Sequence, residues 1–316
     1  MKYVIGGNVM LDTVRFADGT ESMRESIGGP ATFAYSGVKL FTDDVMQCSK
    51  VGKDYHVLFD PWIEKNGIET KGFQVMSERC NHSNLVYYPD GTYGSEQLNR
   101  DVSQMGEYIQ NLGYLKTSPY DFARFAEQGE TKGIYLAQNC DKVFWDQLGE
   151  VKAQKDFKIM WEIEGPSSHL EFLDHVQYAC QYVDAFSINI QEAQNLFGVD
   201  GDEACIRELQ KLPVDYTLFR VGARGAYSVT ADEAIYLKPA PGPVVDPTGC
   251  GNTSTGGALY GFVEGYDPLM IGILANVSSA QNIRQFGVIP NFDAVREEAF
   301  AQAKQLYASY KASSKM

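Results

Sequence analysis

At 316 residues and 44% hydrophobic content, the chain can bury a full core, as one large α/β domain or as a core with a smaller appendage, without disulfide or metal staples. Its net charge of −14 disfavours nucleic acid and anionic membrane as partners, because both would be repelled over much of the surface. No apolar run approaches the roughly 18 residues that span a bilayer, and residues 1–6 are too short for a signal peptide, so a cytoplasmic location is expected. The six cysteines, Cys48, Cys80, Cys140, Cys180, Cys205 and Cys250, show no paired spacing, which fits reduced thiols and argues against structural zinc. The four histidines, His56, His82, His169 and His175, form no pair at metal-ligand spacing.

The first strand is expected over residues 3–6, a short apolar run ended by glycine. The turn after it, Gly6-Gly7-Asn8-Val9, lacks the Gly-x-Gly-x-x-Gly of a dinucleotide fold, which argues against a nicotinamide enzyme. Asp12 follows, read from the sequence alone as a solvated turn acid. An Asp18-Gly19 turn between residues 14–16 and Thr20 suits a two-stranded ribbon. Gly28-Gly29-Pro30 then leads into a helix through Val38 and Leu40. From about 80 to 116 the composition shifts to Tyr, Asn, Ser and Gly, and residues 85–93, around Asp90-Gly91, carry the sharpest hairpin signal. Read from composition alone it is a surface hairpin, and residues 99–117 match no expected element. Beyond it, residues 133–136, 157–161, 185–188 and 216–219 are expected as buried strands separated by helices, the βαβ pattern of a mostly parallel sheet covered on both faces.

Three turns carry candidate chemistry. At 189–192, Asn189 followed by Glu192 at a helix start is a capping box, and the same carboxylate suits a hydrated Mg²⁺. At 222–225, Gly222-Ala223-Arg224-Gly225 is a Gly-x-x-Gly turn in which Arg224 either reaches phosphate or sits at the surface. At 244–257, two β-branched residues, Val244 and Val245, are expected to end a strand. Pro247 and Gly249 break the period, and a helix runs on through Leu259, Phe262 and Val263 to Gly265, its apolar spacing suited to one face. The first turn of that helix presents unpaired N–H groups and the positive end of the dipole, and Gly249 and Gly251 let a ligand approach the backbone, which describes an anion or phosphate cradle. Cys250 lies at this N-terminus, either as a favoured thiolate or as a small residue that packs. Asp267-Pro268 begins a further helix, and a C-terminal helix is expected from about 293 to 310.

The stretch from Asp246 to Asn252 resembles, without gaps, the Asp-Thr-x-Gly-Ala-Gly-Asp signature of the ribokinase, or PfkB, family of sugar and nucleoside kinases. Elements in the same order cover nearly the whole chain. The resemblance implies an α/β ribokinase-like fold, a mostly parallel central sheet with helices on both faces plus a small β-sheet lid. The core would comprise residues 1–11, 28–79 and 117–316, and the discontinuous lid 12–27 and 80–116. It implies phosphoryl transfer from ATP, with Mg²⁺, to a hydroxyl of a small sugar, polyol or nucleoside. Asp12, Gly28, Gly29 and Asp246 would then bind the acceptor, and Gly249, Cys250 and Gly251 would form the anion hole. Gly222, Arg224, Gly225, Asn276 and Ser279 would lie on the nucleotide side, with Asn189 and Glu192 serving Mg²⁺ through water. Glu162 falls where relatives often carry an Asp near the phosphates. Similar proteins commonly dimerise through the lid, so a homodimer of that kind is the partner expectation.

Two departures from the family pattern stand out. Phe33 occupies the position of an Asn that follows the paired-glycine turn. Asn252 stands at the position of the family's catalytic Asp; a neutral carboxamide can orient a hydroxyl but cannot take its proton near neutral pH. This marks a diverged subgroup and leaves two readings open: a kinase with its base elsewhere, Asp246 being nearest in sequence, or a catalytically impaired protein that binds a sugar or nucleotide as a sensor or assembly partner.

Overall fold

The structure, a computed structural model, describes residues 1–16, 19–20, 26–88, 93–95, 117–126 and 130–313. Its centre is a nine-stranded sheet of β1 (Tyr3–Gly6), β4 (Val45–Gly52), β5 (Phe73–Ser77), β8 (Gly133–Gln138), β9 (Lys158–Ile163), β10 (Ala185–Asn189), β11 (Tyr216–Arg220), β12 (Ala226–Val229) and β13 (Ala234–Leu237). The spatial order is β13-β12-β11-β10-β9-β8-β1-β4-β5. Every pairing is parallel except those of β12, which is antiparallel to both neighbours. Helices cover both faces, so the central strands are apolar nearly throughout.

On one face pack α3 (Pro119–Ala126), α4 (Lys142–Lys152), α5 (Leu173–Cys180), α6 (Ile190–Phe197) and α7 (Asp202–Leu209). On the other lie α1 (Pro30–Lys39), α2 (Tyr55–Asn66), α8 (Cys250–Val263), α9 (Pro268–Asn282) and α10 (Phe292–Ser313). No helix of the described residues is long and apolar enough to cross a membrane.

A second, four-stranded sheet has the order β3-β2-β6-β7, from β2 (Met10–Phe16), β3 (Ser26–Gly28), β6 (Asn81–Tyr87) and β7 (Tyr93–Ser95). β2 pairs antiparallel with β3 and parallel with β6, and β6 pairs antiparallel with β7. The early and late ribbons thus join in one sheet, although Asp18, Asp90, Gly91 and most of 99–117 lie outside the described residues. The sheet reaches past the expected lid limits, since β2 begins at Met10 and β3 ends at Gly28.

Two local expectations are corrected. Val244 and Val245 end no strand: both are exposed, at 73% and 43%, and the N–H groups of Val245 and Asp246 converge on one carbonyl, Ile283 O, at 2.8 and 3.1 Å. Their β propensity is overridden by this turn onto the C-terminal end of α9. Helix α8 is not amphipathic either, with residues 253–261 all buried. It is wedged between α1 and α9, and small residues let the backbones meet. A Cβ on Gly256 would sit 2.1 Å from Ala34 O, and one on Gly37 would sit 2.1 Å from Thr253 O.

Candidate active site

The site forms where the C-terminal ends of β8 to β11 meet the N-terminus of α8, the usual ligand position in an open α/β sheet. Strand periodicity decides which side chains arrive there. Tyr135 pairs with Met160, Ala137 with Glu162, Glu162 with Ser187, and Asn189 with Arg220. Tyr135, Glu162, Ser187 and Arg220 therefore share one face of the sheet, the face covered by α8. Ser187 meets that helix directly, its hydroxyl 2.8 Å from that of Thr255.

The turn into α8 is built locally. Asp246 Oδ1 accepts from Thr248 N at 2.9 Å, and Gly249 caps the helix at φ 74°, ψ −2° with no side-chain cap. The N–H groups of Gly251 and Asn252 are left without an intrahelical carbonyl by helix geometry. Neither glycine tolerates a side chain. A Cβ on Gly249 would lie 2.2 Å from the Phe33 ring, and one on Gly251 would lie 2.0 Å from Arg220 Nη1. The guanidinium therefore lies directly beneath the first turn of the helix.

Arg220 is 14% exposed and pairs with Glu162 Oε1 at 2.8 Å and with Glu192 Oε2 at 3.9 Å. Burial pushes the Glu192 carboxyl up, and the Arg220 guanidinium opposes that shift. Glu192 also closes the expected capping box: Asn189 N donates to its Oε2 and its N–H donates to Asn189 Oδ1, both at 2.9 Å. Glu162 Oε2 accepts from Tyr135 Oη at 2.7 Å, and Tyr135 Oη accepts from Asn252 Nδ2 at 3.2 Å. Burial raises the Tyr135 phenol well above its ordinary value, with Glu162 adding to the effect, so the phenol stays protonated.

On the opposite side lie Asp12 and Asp246, both buried. Burial pushes the Asp12 carboxyl up to about 7; Asp246 adds to this, while the Gly29 N–H opposes it. Asp246 is raised as well, mainly by burial. A Cβ on Gly28 would fall 1.9 Å from Asp12 Oδ2, so the paired-glycine turn packs directly on this carboxylate. Phe33, 2% exposed, stands between the Gly28 and Gly249 turns as an apolar wall.

Cys250 is a half-buried free thiol. Desolvation pushes it up to about 11, which outweighs the helix terminus, and its Sγ lies 3.7 Å from Ser279 O. Burial thus favours the packing alternative over the thiolate one. Asn276 Nδ2 donates to Lys238 O at 2.8 Å, tying α9 to the chain leaving β13. The Gly222–Arg224 turn has positive φ at Gly222 and Gly225, but Arg224 is 57% exposed and forks onto Asp202 at 2.6 and 2.8 Å. The half-buried cation at the cradle is Arg220. Sequence reasoning also passed over Tyr135 and over Asn282, whose Nδ2 donates to Thr248 O at 2.8 Å and pins the cradle loop. The second sheet reaches the same loop, where Tyr87 Oη and Thr248 Oγ1 share a hydrogen bond of 2.9 Å.

A parallel sheet wrapped on both faces, with a small second sheet against a glycine-lined helix terminus, defines a ribokinase-like α/β fold. The chain belongs to the pfkB family of carbohydrate kinases, which its residues 2–294 match. It is 31% identical over 102 residues to an uncharacterized sugar kinase of Archaeoglobus fulgidus, across 32% of this chain and 40% of that protein. It is 22% identical over 266 residues to a cytidine kinase of Thermococcus kodakarensis, across 83% and 88% of the two chains. Among solved structures, a Methanocaldococcus jannaschii nucleoside kinase superposes with a TM-score of 0.67 at 17% identity, covering 96% of this chain and 99% of that one. A Salmonella enterica aminoimidazole riboside kinase superposes at 0.70 with 14% identity, covering 96% and 100%.

Proposed function

We propose that the protein transfers the γ-phosphoryl group of ATP to a hydroxyl of a small sugar, polyol or nucleoside. The observation that carries this reading is the glycine-lined terminus of α8, with the half-buried Arg220 beneath it and two buried carboxylates, Asp12 and Asp246, beside it. Positioning and electrostatics do most of the work in a loose phosphoryl-transfer transition state. Here the N–H groups of Gly251 and Asn252 face the charge that develops on the transferred group, and Arg220 adds a fixed positive field below them. Asp12 and Asp246 hold the acceptor hydroxyls, and Phe33 presents an apolar wall where relatives read a polar group. Gly222, Gly225, Asn276 and Ser279 lie on the nucleotide side.

The residues present fit Mg²⁺ in the way such sites hold it. No cluster of three metal-ligating side chains occurs among the described residues, whereas Glu162 and Glu192 share a single Arg220, leaving net negative charge beside the cradle. Asn189 and Glu192 would hold the ion through water, and MgATP would supply the phosphoryl group and screen its charge. The same proposal takes residues 12–27 and 80–116 as a lid over a core of 1–11, 28–79 and 117–316. It also includes a homodimer through that lid and a cytoplasmic setting, in keeping with the free thiols of all six cysteines.

Asn252 favours a second reading, a protein that binds nucleotide or sugar without turnover, since its amide takes no proton. ADP release in MgATP across sugars, polyols and nucleosides, with a parallel calorimetric MgATP titration, separates the two. Acceptor-dependent ADP release supports the kinase, nucleotide binding without turnover supports the binder, and absence of nucleotide binding overturns both nucleotide readings.

A further inference from the structure

The side chain at the base position is oriented from below. Tyr135 Oη has one proton, and it donates that proton to Glu162 Oε2 at 2.7 Å. Glu162 is ion-paired through its other oxygen to Arg220 at 2.8 Å and acts only as an acceptor. What the phenol offers Asn252 is therefore a lone pair, and the amide must present Nδ2, as it does at 3.2 Å. Nδ2 and Oδ1 diverge from Cγ within the amide plane, so the chain Asn252→Tyr135→Glu162, by holding Nδ2, leaves Oδ1 pointing away from the Tyr135 hydroxyl. Asn252 is only half-buried, whereas Tyr135 and Glu162 are 0% and 4% exposed. Oδ1 is thus the accessible end of a buried, one-directional hydrogen-bond chain that terminates in a charge.

We propose that Tyr135 and Glu162 are positioning residues for Asn252. They fix its amide so that Oδ1 accepts a hydrogen bond from the hydroxyl to be phosphorylated, and they place the carboxylate charge of the site at Glu162, one tyrosine away from the reacting groups. The proposal rests on the kinase reading for the identity of that hydroxyl. It also accounts for the departure at position 252. An Asn252→Asp change would set two carboxylates against one phenolic proton, so one of them would lose its donor inside the protein.

The test is a reciprocal swap. Asn252→Asp alone is expected to lower the unfolding midpoint by about 5 °C or more and not to raise ADP release. Glu162→Gln alone is expected to lower kcat by about 100-fold while changing KM for ATP far less, because a loosened amide misplaces the hydroxyl. The double variant reverses the chain: the new amide at 162 donates to Tyr135 Oη, which donates to the new carboxylate at 252. It is expected to recover most of the lost midpoint and to turn over faster than either single variant. Midpoint shifts that simply add, or an Asn252→Asp protein as stable as the native one and faster, would overturn the proposal. If the native protein binds MgATP but phosphorylates no acceptor, the kinase reading falls, and the midpoint arm alone decides whether the chain orients Asn252: recovery upholds it and additivity overturns it.

Discussion

Two pairs of buried or half-buried carboxylates flank the mouth of α8, and they solve the same electrostatic problem differently. Glu162 and Glu192 share Arg220, a resident cation that keeps charge in the interior. Asp12 and Asp246 make no ion pair with a described residue, and burial instead lifts both toward the protonated form, Asp12 to about 7. One side keeps its charge through a resident cation, and the other is shifted toward neutrality, which suits the proposed phosphate and acceptor roles of the two sides.

Removing the resident cation should break this contrast most severely. Arg220→Met leaves two buried or half-buried carboxylates without a counter-charge, and an expected loss of about 3–5 kcal/mol is measurable by urea unfolding. Nucleotide binding should fall with it.

The acceptor side should respond to pH in the opposite manner to an ion-paired acid. A carboxyl whose folded value is raised contributes stability that is fully present below its unfolded value and lost as pH rises through the folded one. Asp12 should therefore cost the protein up to a few kcal/mol between about pH 4 and pH 7. Asp12→Asn should flatten that slope, making the variant the more stable protein at pH 8 and no more stable at pH 4, as read by unfolding across pH. Acceptor binding should weaken in the same variant.

The smallest effect belongs to the other arginine. Arg224→Ala removes an exposed ion pair with Asp202, for which about 1 kcal/mol or less is expected. KM for ATP should change little, whereas a large rise would move the phosphate-binding role from Arg220 to Arg224.

How much of this was legible along the chain follows from the range of the interactions involved. The Asn189–Glu192 cap, the Asp267–Pro268 helix start and the glycine turn at 249 are written within a few residues, and the structure shows each of them. The second sheet was legible as two ribbons, their joining in one sheet came only from the family resemblance, and β2 and β6 make that join. Tyr135, Glu162 and Arg220 come from three different strands. Only the sheet order, with β10 placed between β9 and β11, brings them beneath one helix terminus. Arg220 and Arg224 are four residues apart and chemically identical, yet one ends a buried strand and the other sits in a surface turn. Local spacing could not choose between them. Cys250 misleads in a related way, since a helix terminus alone favours a thiolate until packing removes the water.

The close contact between α1 and α8 sets limits on how such a protein can change its acceptor. Helix α1 begins at the turn against Asp12, α8 begins at the cradle, and the backbones of the two are locked where Gly37 and Gly256 meet carbonyls. The distance between the Asp12 turn and the α8 terminus, the proposed acceptor anchor and phosphoryl cradle, is thus a constant of the scaffold. New specificities must come from what projects into that fixed gap, such as the ring of Phe33, or from what closes over it. Random mutagenesis for altered substrates should accordingly recover changes at position 33 and in the second sheet, and almost none in the glycines of α8.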